Sequence, residues 1–303
     1  MQTERVAHRR GTAPHQPGRA GWRLVVFLLW AAALAPVGAH EDNFVEIRQL
    51  TANIAASPDN PRLYLRRAEM QRLLRHWHAA EADYRRAAEL DPKLALVDLA
   101  FATLWNDAGQ PEQALVLLDG YLSRSPAGPE GYAERARSNR MLKRWAAAAA
   151  DCAEVLKHTP DPDPEVFAAW AAVLIDGGER AQALEVLNRG IARLGRVASL
   201  AMKALDLEES MALHDAALQR IGAMLAAPGR KDSLLLRKAG ILLAAGRGDE
   251  ARACVVLARQ QFNAVPEARR LTAAGRQLAA KIDRLETQTA KTTSTQNTNH
   301  PPQ

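Results

Sequence analysis

Small residues return along this chain with a period of 34 or 35 residues. One series begins at Ala80 and ends at Ala251, with successive spacings of 34, 34, 35, 34 and 34 residues. A second series runs 12 residues ahead of the first, from Ala68 to Ala239, and Leu205 replaces one of its alanines. Because self-similarity at such a period is typical of stacked supersecondary units, the chain is predicted to fold as a repeat array.

Each period divides into two helical halves. In the first copy Ala80, Tyr84, Ala87 and Ala88 follow the i, i+4, i+7, i+8 spacing of one helix face. Signals that stop and restart a helix separate the halves and close the copies. The turn glycines are Gly109, Gly178 and Gly246, the closing prolines are Pro92, Pro126 and Pro160, and the aromatic residues near the start are Tyr64, Tyr132 and Phe167. Each copy is therefore predicted to be a helical hairpin that its neighbours stabilise.

This pattern resembles the tetratricopeptide repeat family, which pairs small residues where its two helices cross and places an aromatic residue near the start and a proline at the end. The resemblance implies an all-α fold, a right-handed superhelical solenoid of helix-turn-helix repeats. Six repeats are expected over residues 61–265. A capping half-repeat helix is expected at 40–60, and a charged capping helix at 266–286.

The resemblance also implies a binding surface, because the first helices of this family line a concave groove that meets a protein or peptide partner. The early groove is rich in arginine, and guanidinium groups suit bidentate recognition of carboxylates, so an acidic or C-terminal peptide segment is the expected ligand. The predicted groove residues are Arg62, Leu65, Arg66, Glu69, Arg72, Leu96, Leu99, Thr103, Asn106, Arg137 and Arg140. In the fourth repeat the groove is expected to continue with Ala168, Ala172 and Ile175.

Residues 1–39 have the composition of an export signal. A basic lead ends at Arg23, the apolar run LVVFLLWAAALAP follows, and VGA precedes His40. Cleavage is predicted after Ala39. The mature protein is then expected to be exported and periplasmic, and its only membrane contact would be through the signal segment. A retained N-terminal anchor is the alternative, and it is disfavoured because a bilayer span needs about 20 predominantly apolar residues.

The charge of the chain changes once this segment is set aside. The whole chain has a formal net charge of +6, and the leader contributes five arginines and one glutamate to it. Nucleic-acid binding needs a concentrated basic face, so a mature chain near neutrality is not expected to bind nucleic acid. No phosphate loop, dinucleotide-binding glycine pattern, nucleophile elbow or helix-borne zinc motif is present, and the protein is predicted to be a non-enzymatic scaffold without a cofactor.

Two histidines in the first repeat raise a different possibility. His76 and His78 flank Trp77 near the turn of the hairpin, but residues at i and i+2 do not share a helix face, and they are predicted to be exposed turn residues. Processing after Ala39 would also leave a free amine beside the imidazole of His40, a pair that chelates copper or nickel. An exported metal-handling protein is therefore the alternative function.

The remaining features concern the thiols and the C-terminus. Cys152 and Cys254 lie in second helices three repeats apart, so they are predicted to be buried free thiols rather than a disulfide. Residues 287–303 have almost no apolar content and are predicted to form a disordered tail. The partner is expected to be a protein or peptide, and an envelope complex is one candidate.

Overall fold

The computed structural model describes residues 38–195, 197–229 and 231–297, with side chains from residue 43 to residue 290. Nearly all of the predicted leader, residues 1–37, lies outside these ranges. The described part of the chain divides into two compact units, with the boundary between residues 138 and 139. The prediction that the leader is cleaved after Ala39 concerns a part of the chain that the structure does not describe.

The first unit contains five complete helices and most of a sixth, within residues 38–138. They are α1 Gly38–Ala56, α2 Pro61–Leu73, α3 Trp77–Leu90, α4 Ala95–Asp107, α5 Pro111–Arg124 and α6 Pro129–Met141. Proline stands at the first position of α2, α5 and α6, where its missing N–H costs no intrahelical hydrogen bond. Asn60 caps α2 by accepting a hydrogen bond from the backbone N–H of Arg62 at 3.1 Å.

The second unit continues with the end of α6 and the remaining helices. They are α7 Trp145–Lys157, α8 Pro164–Asp176, α9 Arg180–Leu194, α10 Ala198–Ser210, α11 His214–Leu225, α12 Asp232–Ala244, α13 Gly248–Asn263, α14 Glu267–Arg270 and α15 Ala273–Asn297. Only helices and the turns between them occur in the described ranges, so the all-α prediction of consecutive helical hairpins is confirmed. Within those ranges, no helix combines the length and apolar content that a bilayer span requires.

The alanines that defined the period are buried. Ala68, Ala80, Ala102 and Ala114 of the first unit are all 0% exposed. In the second unit Ala148, Ala183, Ala217 and Ala251 are 0% exposed as well, and so is Leu205, which replaces an alanine. Small side chains at these places let two helices approach closely, and their burial fixes the register of all six hairpins.

The six hairpins share one turn conformation. A residue with positive φ stands in each turn, at Arg75, Gly109, Lys143, Gly178, Ala212 and Gly246. The backbone N–H of the next residue donates a hydrogen bond to the carbonyl five residues earlier. The N–H of His76 donates to Gln71 at 2.9 Å, and that of Leu213 donates to Glu208 at 2.9 Å. This pattern closes the first helix in the left-handed conformation that favours glycine, yet three copies use a residue with a side chain.

The aromatic residue near the start of the first helix has a structural role that recurs. The Tyr64 hydroxyl donates to the Pro58 carbonyl at 3.0 Å, and the Tyr132 hydroxyl donates to the Pro126 carbonyl at 3.1 Å. Each bond ties a first helix to the proline that closes the preceding copy. Phe167 lacks the hydroxyl and is instead fully buried in the core of the fourth hairpin.

The two ends of the array differ in detail from the sequence predictions. Leu50 and Ile54 of α1 are buried, while Phe44, about one turn and a half earlier in the same helix, is 50% exposed. At the C-terminus a short α14 precedes α15, because the helix is interrupted at Leu271 and Thr272. Leu271, at this interruption, is 60% exposed.

The predicted disordered tail is wrong for residues 287–297, which belong to α15. Ile282 and Leu285 bury this helix against α13, and they carry it past Glu286. Thr289 is 1% exposed, and Arg252 of α13 donates to its carbonyl at 3.2 Å. A tail of threonine and glutamine is helical here because the apolar residues before it dock the helix first.

Candidate functional site

A pocket of about 480 Å³ lies in the first unit, on the side formed by the first helices. Residues of α2, α4 and the beginning of α6 line it, together with Leu94, which caps α4. The lining residues are Arg62, Leu65, Arg66, Glu69, Arg72, Leu94, Leu96, Leu99, Ala100, Thr103, Glu130 and Glu134. Three consecutive hairpins therefore contribute to one site.

The repeat places the lining residues in equivalent positions. Arg62, Leu96 and Glu130 are separated by 34 residues each, and all three line the pocket. One turn further along the helices, Arg66, Ala100 and Glu134 form a second equivalent set. The same helix face is therefore presented three times, and each copy provides a side chain of different chemistry.

The apolar part of the lining comes from the first two repeats. Leu65, Leu94 and Leu99 are half-buried, and Leu96 is 53% exposed. Covering the apolar surface that these side chains leave open to water is favourable, by about 25 cal/mol for each Å² buried. The pocket is thus suited to an apolar side chain of a ligand.

A buried charge network borders the pocket. The Arg72 guanidinium, 8% exposed, donates to Glu69 from Nε at 3.0 Å and from Nη2 at 2.6 Å, and its Nη1 is bonded to Asp107. Arg137 Nη2 donates to the other oxygen of Asp107 at 2.6 Å. The Tyr84 hydroxyl donates to Glu69 at 3.1 Å. Side chains from all three hairpins are fixed together in this way.

Glu134 continues this network into the pocket wall. Its Oε2 accepts a hydrogen bond from Asn106 Nδ2 at 2.7 Å, and the Ser138 hydroxyl donates to Asn106 Oδ1 at 2.8 Å. Glu134 is only 3% exposed. Its Oε1 has no hydrogen-bond donor among the described residues, because Arg137 Nη1 lies 3.6 Å away.

Burial perturbs the ionisable groups of this region. Desolvation raises the pKa of Glu134 above its ordinary value, although Arg137 and Asn106 oppose the shift. Desolvation acts against the charged form of Arg72, but the hydrogen bond and charge of Glu69 outweigh it and the pKa rises. Burial, with the nearby charge of Glu69, also raises the pKa of Tyr84. Arg72 therefore stays charged, whereas burial disfavours the ionised form of Glu134.

Eight predicted groove residues lie together in this pocket. They are Arg62, Leu65, Arg66, Glu69, Arg72, Leu96, Leu99 and Thr103. Asn106 was expected to be exposed there, and that expectation is wrong, because its amide turns inward to Glu134 and only 2% of the residue is exposed. Arg137 pairs with Asp107 beside the pocket. Arg140 belongs to the second unit, where it bonds Asp176 at 2.8 Å.

The arginines are less open to a ligand than the sequence suggested. Arg72 was predicted as an exposed groove residue, and it is buried because Glu69 and Asp107 hold it. Arg66 is exposed but bonds Glu46 of α1 at 2.7 Å. Arg62 is exposed, and its guanidinium has no partner among the residues that the structure describes.

Four lining residues were missed as groove residues, namely Leu94, Ala100, Glu130 and Glu134. The two glutamates could have been found by the period, since Glu130 lies 68 residues after Arg62 and Glu134 lies 68 residues after Arg66. Leu94 has no such signal, because it precedes the helix and its position depends on the turn. Glu130 accepts a hydrogen bond from the Tyr121 hydroxyl, which holds it at the edge of the pocket.

His76 and His78 lie on the surface, whereas the two cysteines are buried. His76 caps α3 and His78 lies in its first turn, both are exposed, and the rings of Phe44 and His76 are 6.1 Å apart. The described side chains include no group of three or more possible metal ligands, and the side chain of His40 is not among them. Metal handling through His40 stays a prediction. Cys152 and Cys254 are buried free thiols in α7 and α13, as predicted.

Comparisons with known proteins find only distant similarities. No protein-family model matches the sequence, and no curated protein matches it significantly. Among solved structures, a tetratricopeptide repeat protein of Parabacteroides merdae is 17% identical, with 89% of this chain and 98% of that chain covered and a TM-score of 0.49. Pseudomonas aeruginosa pilF is 19% identical, with 68% and 93% covered and a TM-score of 0.46. A thermophilic repeat protein of Thermus thermophilus is 21% identical, with 60% and 99% covered and a TM-score of 0.41.

These likenesses are distant, and the class of the fold rests on the geometry of the chain itself. Six hairpins at a period of 34 or 35 residues bury their small residues where the two helices cross, and they share one turn. The chain therefore folds as consecutive helical hairpins, which is the architecture that the resemblance noted from the sequence implied.

Proposed function

We propose that the protein is a non-enzymatic interaction scaffold whose first unit binds an extended or helical segment of another protein. The pocket lined by α2, α4 and α6 carries this proposal, because three repeats converge on one concave, leucine-lined site. A preformed groove of this kind binds a segment with little ordering of its own backbone. The charge network around Arg72 keeps the three helices in place before the ligand arrives.

The proposal predicts that binding depends on the leucines of the pocket. A random peptide library displayed on phage would be selected on the purified protein, and recovered peptides would be titrated by fluorescence anisotropy against two variants. Leu96→Asp places a charge in the pocket, and Val116→Asp does the same at an exposed valine of α5 that does not line it. We expect Leu96→Asp to weaken binding by about tenfold or more and Val116→Asp to leave it unchanged.

Two results would contradict this function. Either the selection enriches no peptide, or every enriched peptide binds Leu96→Asp as tightly as the parent protein. Circular dichroism of both variants controls for folding, since each adds one carboxylate at an already exposed side chain.

We further propose that the scaffold is exported and acts on a partner in the cell envelope. The support is in the sequence, where a basic lead, an apolar run and the small residues Val37 and Ala39 stand directly before His40. N-terminal sequencing of the protein recovered from the periplasm should then begin at His40. Recovery of the uncleaved chain from the membrane fraction would instead indicate a retained anchor.

A further inference from the structure

We infer that the pocket of the first unit selects a peptide segment with a basic side chain beside aliphatic ones, and that Glu130 and Glu134 receive the cation. The inference rests on the proposed function and names the chemistry of its ligand. It reverses the expectation from the sequence, in which arginines meet a carboxylate. The reversal follows from the pairing of the charges that line the pocket.

The positive charges of the pocket are mostly neutralised by this chain. Arg72 is itself buried and is held by the half-buried Glu69 and Asp107, so a ligand carboxylate would have to displace these partners to reach it. Arg66 is paired with Glu46. Only Arg62 remains, at the first turn of α2, as an exposed guanidinium without a partner in the described ranges.

The carboxylates of α6 are less completely paired. Glu130 and Glu134 are four residues apart, so their side chains lie on one face of the helix about 5–6 Å from each other at Cβ. Glu130 accepts from the Tyr121 hydroxyl, and no cation of the described part of the chain pairs with it. Two carboxylates on one face of the pocket wall therefore favour a cation between or beside them.

Glu134 gives the second, independent observation. It is 3% exposed, it lines the pocket, and its Oε1 lacks a hydrogen-bond donor. Arg137 forms an ion pair with Glu134, but its Nη1 stays 3.6 Å from Oε1, which is too long for a hydrogen bond, and its Nη2 is engaged by Asp107. A buried acceptor without a donor is costly, and a ligand ammonium or guanidinium that reaches it would recover that cost.

The leucines complete the match to a basic side chain. Lysine and arginine carry a long aliphatic stem that packs on apolar surface while the charged head finds its partner. Leu65, Leu96 and Leu99 line the same pocket as the two glutamates and offer that surface. An acidic segment would meet the same leucines but would bring its charge towards Glu130 and Glu134, which repel it.

The test uses those library peptides whose binding is lost in Leu96→Asp. Each would be synthesised with lysine at its basic position, and again with norleucine, which keeps the stem and removes the charge. We expect enrichment of lysine or arginine among them and about tenfold weaker binding of the norleucine form. In Glu130→Gln and Glu134→Gln the difference between the two forms should shrink, because the partner of the cation is gone.

Two controls make the outcome specific. Glu112→Gln removes an exposed carboxylate of α5 that does not line the pocket, and it should bind like the parent. Arg62→Gln should also leave the lysine peptide bound. The inference is overturned if the pocket enriches acidic peptides that depend on Arg62, or if both glutamine variants keep the full preference for lysine. In either case Leu96-dependent binding would still support the proposed function, whereas its absence would refute that function.

Discussion

Equivalent helix positions serve different purposes in the first three repeats and in the fourth. Arg66, Ala100 and Glu134 of the first unit correspond by the period to Ala169, and Arg72 and Asn106 correspond to Ile175. The first unit surrounds its pocket with charged groups that are paired across repeats. In the fourth repeat the same face carries small, half-buried alanines at 168, 169 and 172. One backbone therefore supports either surface, and the side chains alone decide the chemistry that each surface presents.

The largest expected effect lies in the charge network of the first unit. Arg72→Ala would leave Glu69 and Asp107 without their shared cation and should lower the free energy of unfolding by about 3 kcal/mol. The matched change in the fourth repeat is Ile175→Ala, at a side chain that is 41% exposed, and it should cost less than about 1 kcal/mol. Urea unfolding, with hydrogen-exchange mass spectrometry to assign each loss to a unit, measures both. Equal losses would remove the contrast between the two regions.

An intermediate effect tests the apolar packing of the fourth repeat. A Cβ added at Gly190 would lie 2.7 Å from Phe167 Cγ and 2.9 Å from Leu200 Cδ1, and both of those residues are fully buried. Gly190→Ala should therefore destabilise the second unit by about 1–3 kcal/mol. Gly222→Ala is the control, since nothing lies within 4 Å of its added Cβ, and it should stabilise α11 by about 0.5–1 kcal/mol. If both variants moved stability in the same direction, close packing at Gly190 would not be the cause.

The smallest effect concerns the turn conformation that recurs in both units. Arg75 in the first unit and Ala212 in the second have φ values of 60° and 55°, where a side chain is strained. Replacing either by glycine relieves this backbone strain but increases the conformational entropy of the unfolded chain. The net effect should be a stabilisation of about 0.5–1 kcal/mol. Gly246→Ala, with φ at 74°, should have the opposite sign. Thermal unfolding of the three variants checks this, and a loss of stability in Ala212→Gly would contradict it.

The register of the array could be predicted because small residues recur at a fixed interval along most of it. Ala80 and Ala148 recur at a fixed interval, and both are fully buried where the sequence placed the crossing of two helices. The turns were predictable where glycine marks them. At Lys143 the same conformation is imposed by the flanking helices, so no local signal identifies it.

The site could be predicted only in part. Exposure of Arg62 and Leu96 follows from the face of the helix on which they lie. The pairing of Arg72 with Asp107 joins residues 35 positions apart, and it depends on how far each side chain reaches between neighbouring helices. The inward turn of Asn106 likewise depends on a partner in the next repeat. Such pairings are tertiary, and a period in the sequence does not encode them.

The two cysteines have a consequence for how this protein is studied. Burial raises the pKa of Cys152 to about 12, and burial also raises the pKa of Cys254. The thiolate is the reactive form, so alkylation at neutral pH requires a helix to open before either sulfur reacts. Both residues belong to the second unit, and the sequence has no other cysteine. The alkylation rate of the unmodified protein thus measures how often the second unit opens, and the measurement needs no introduced label.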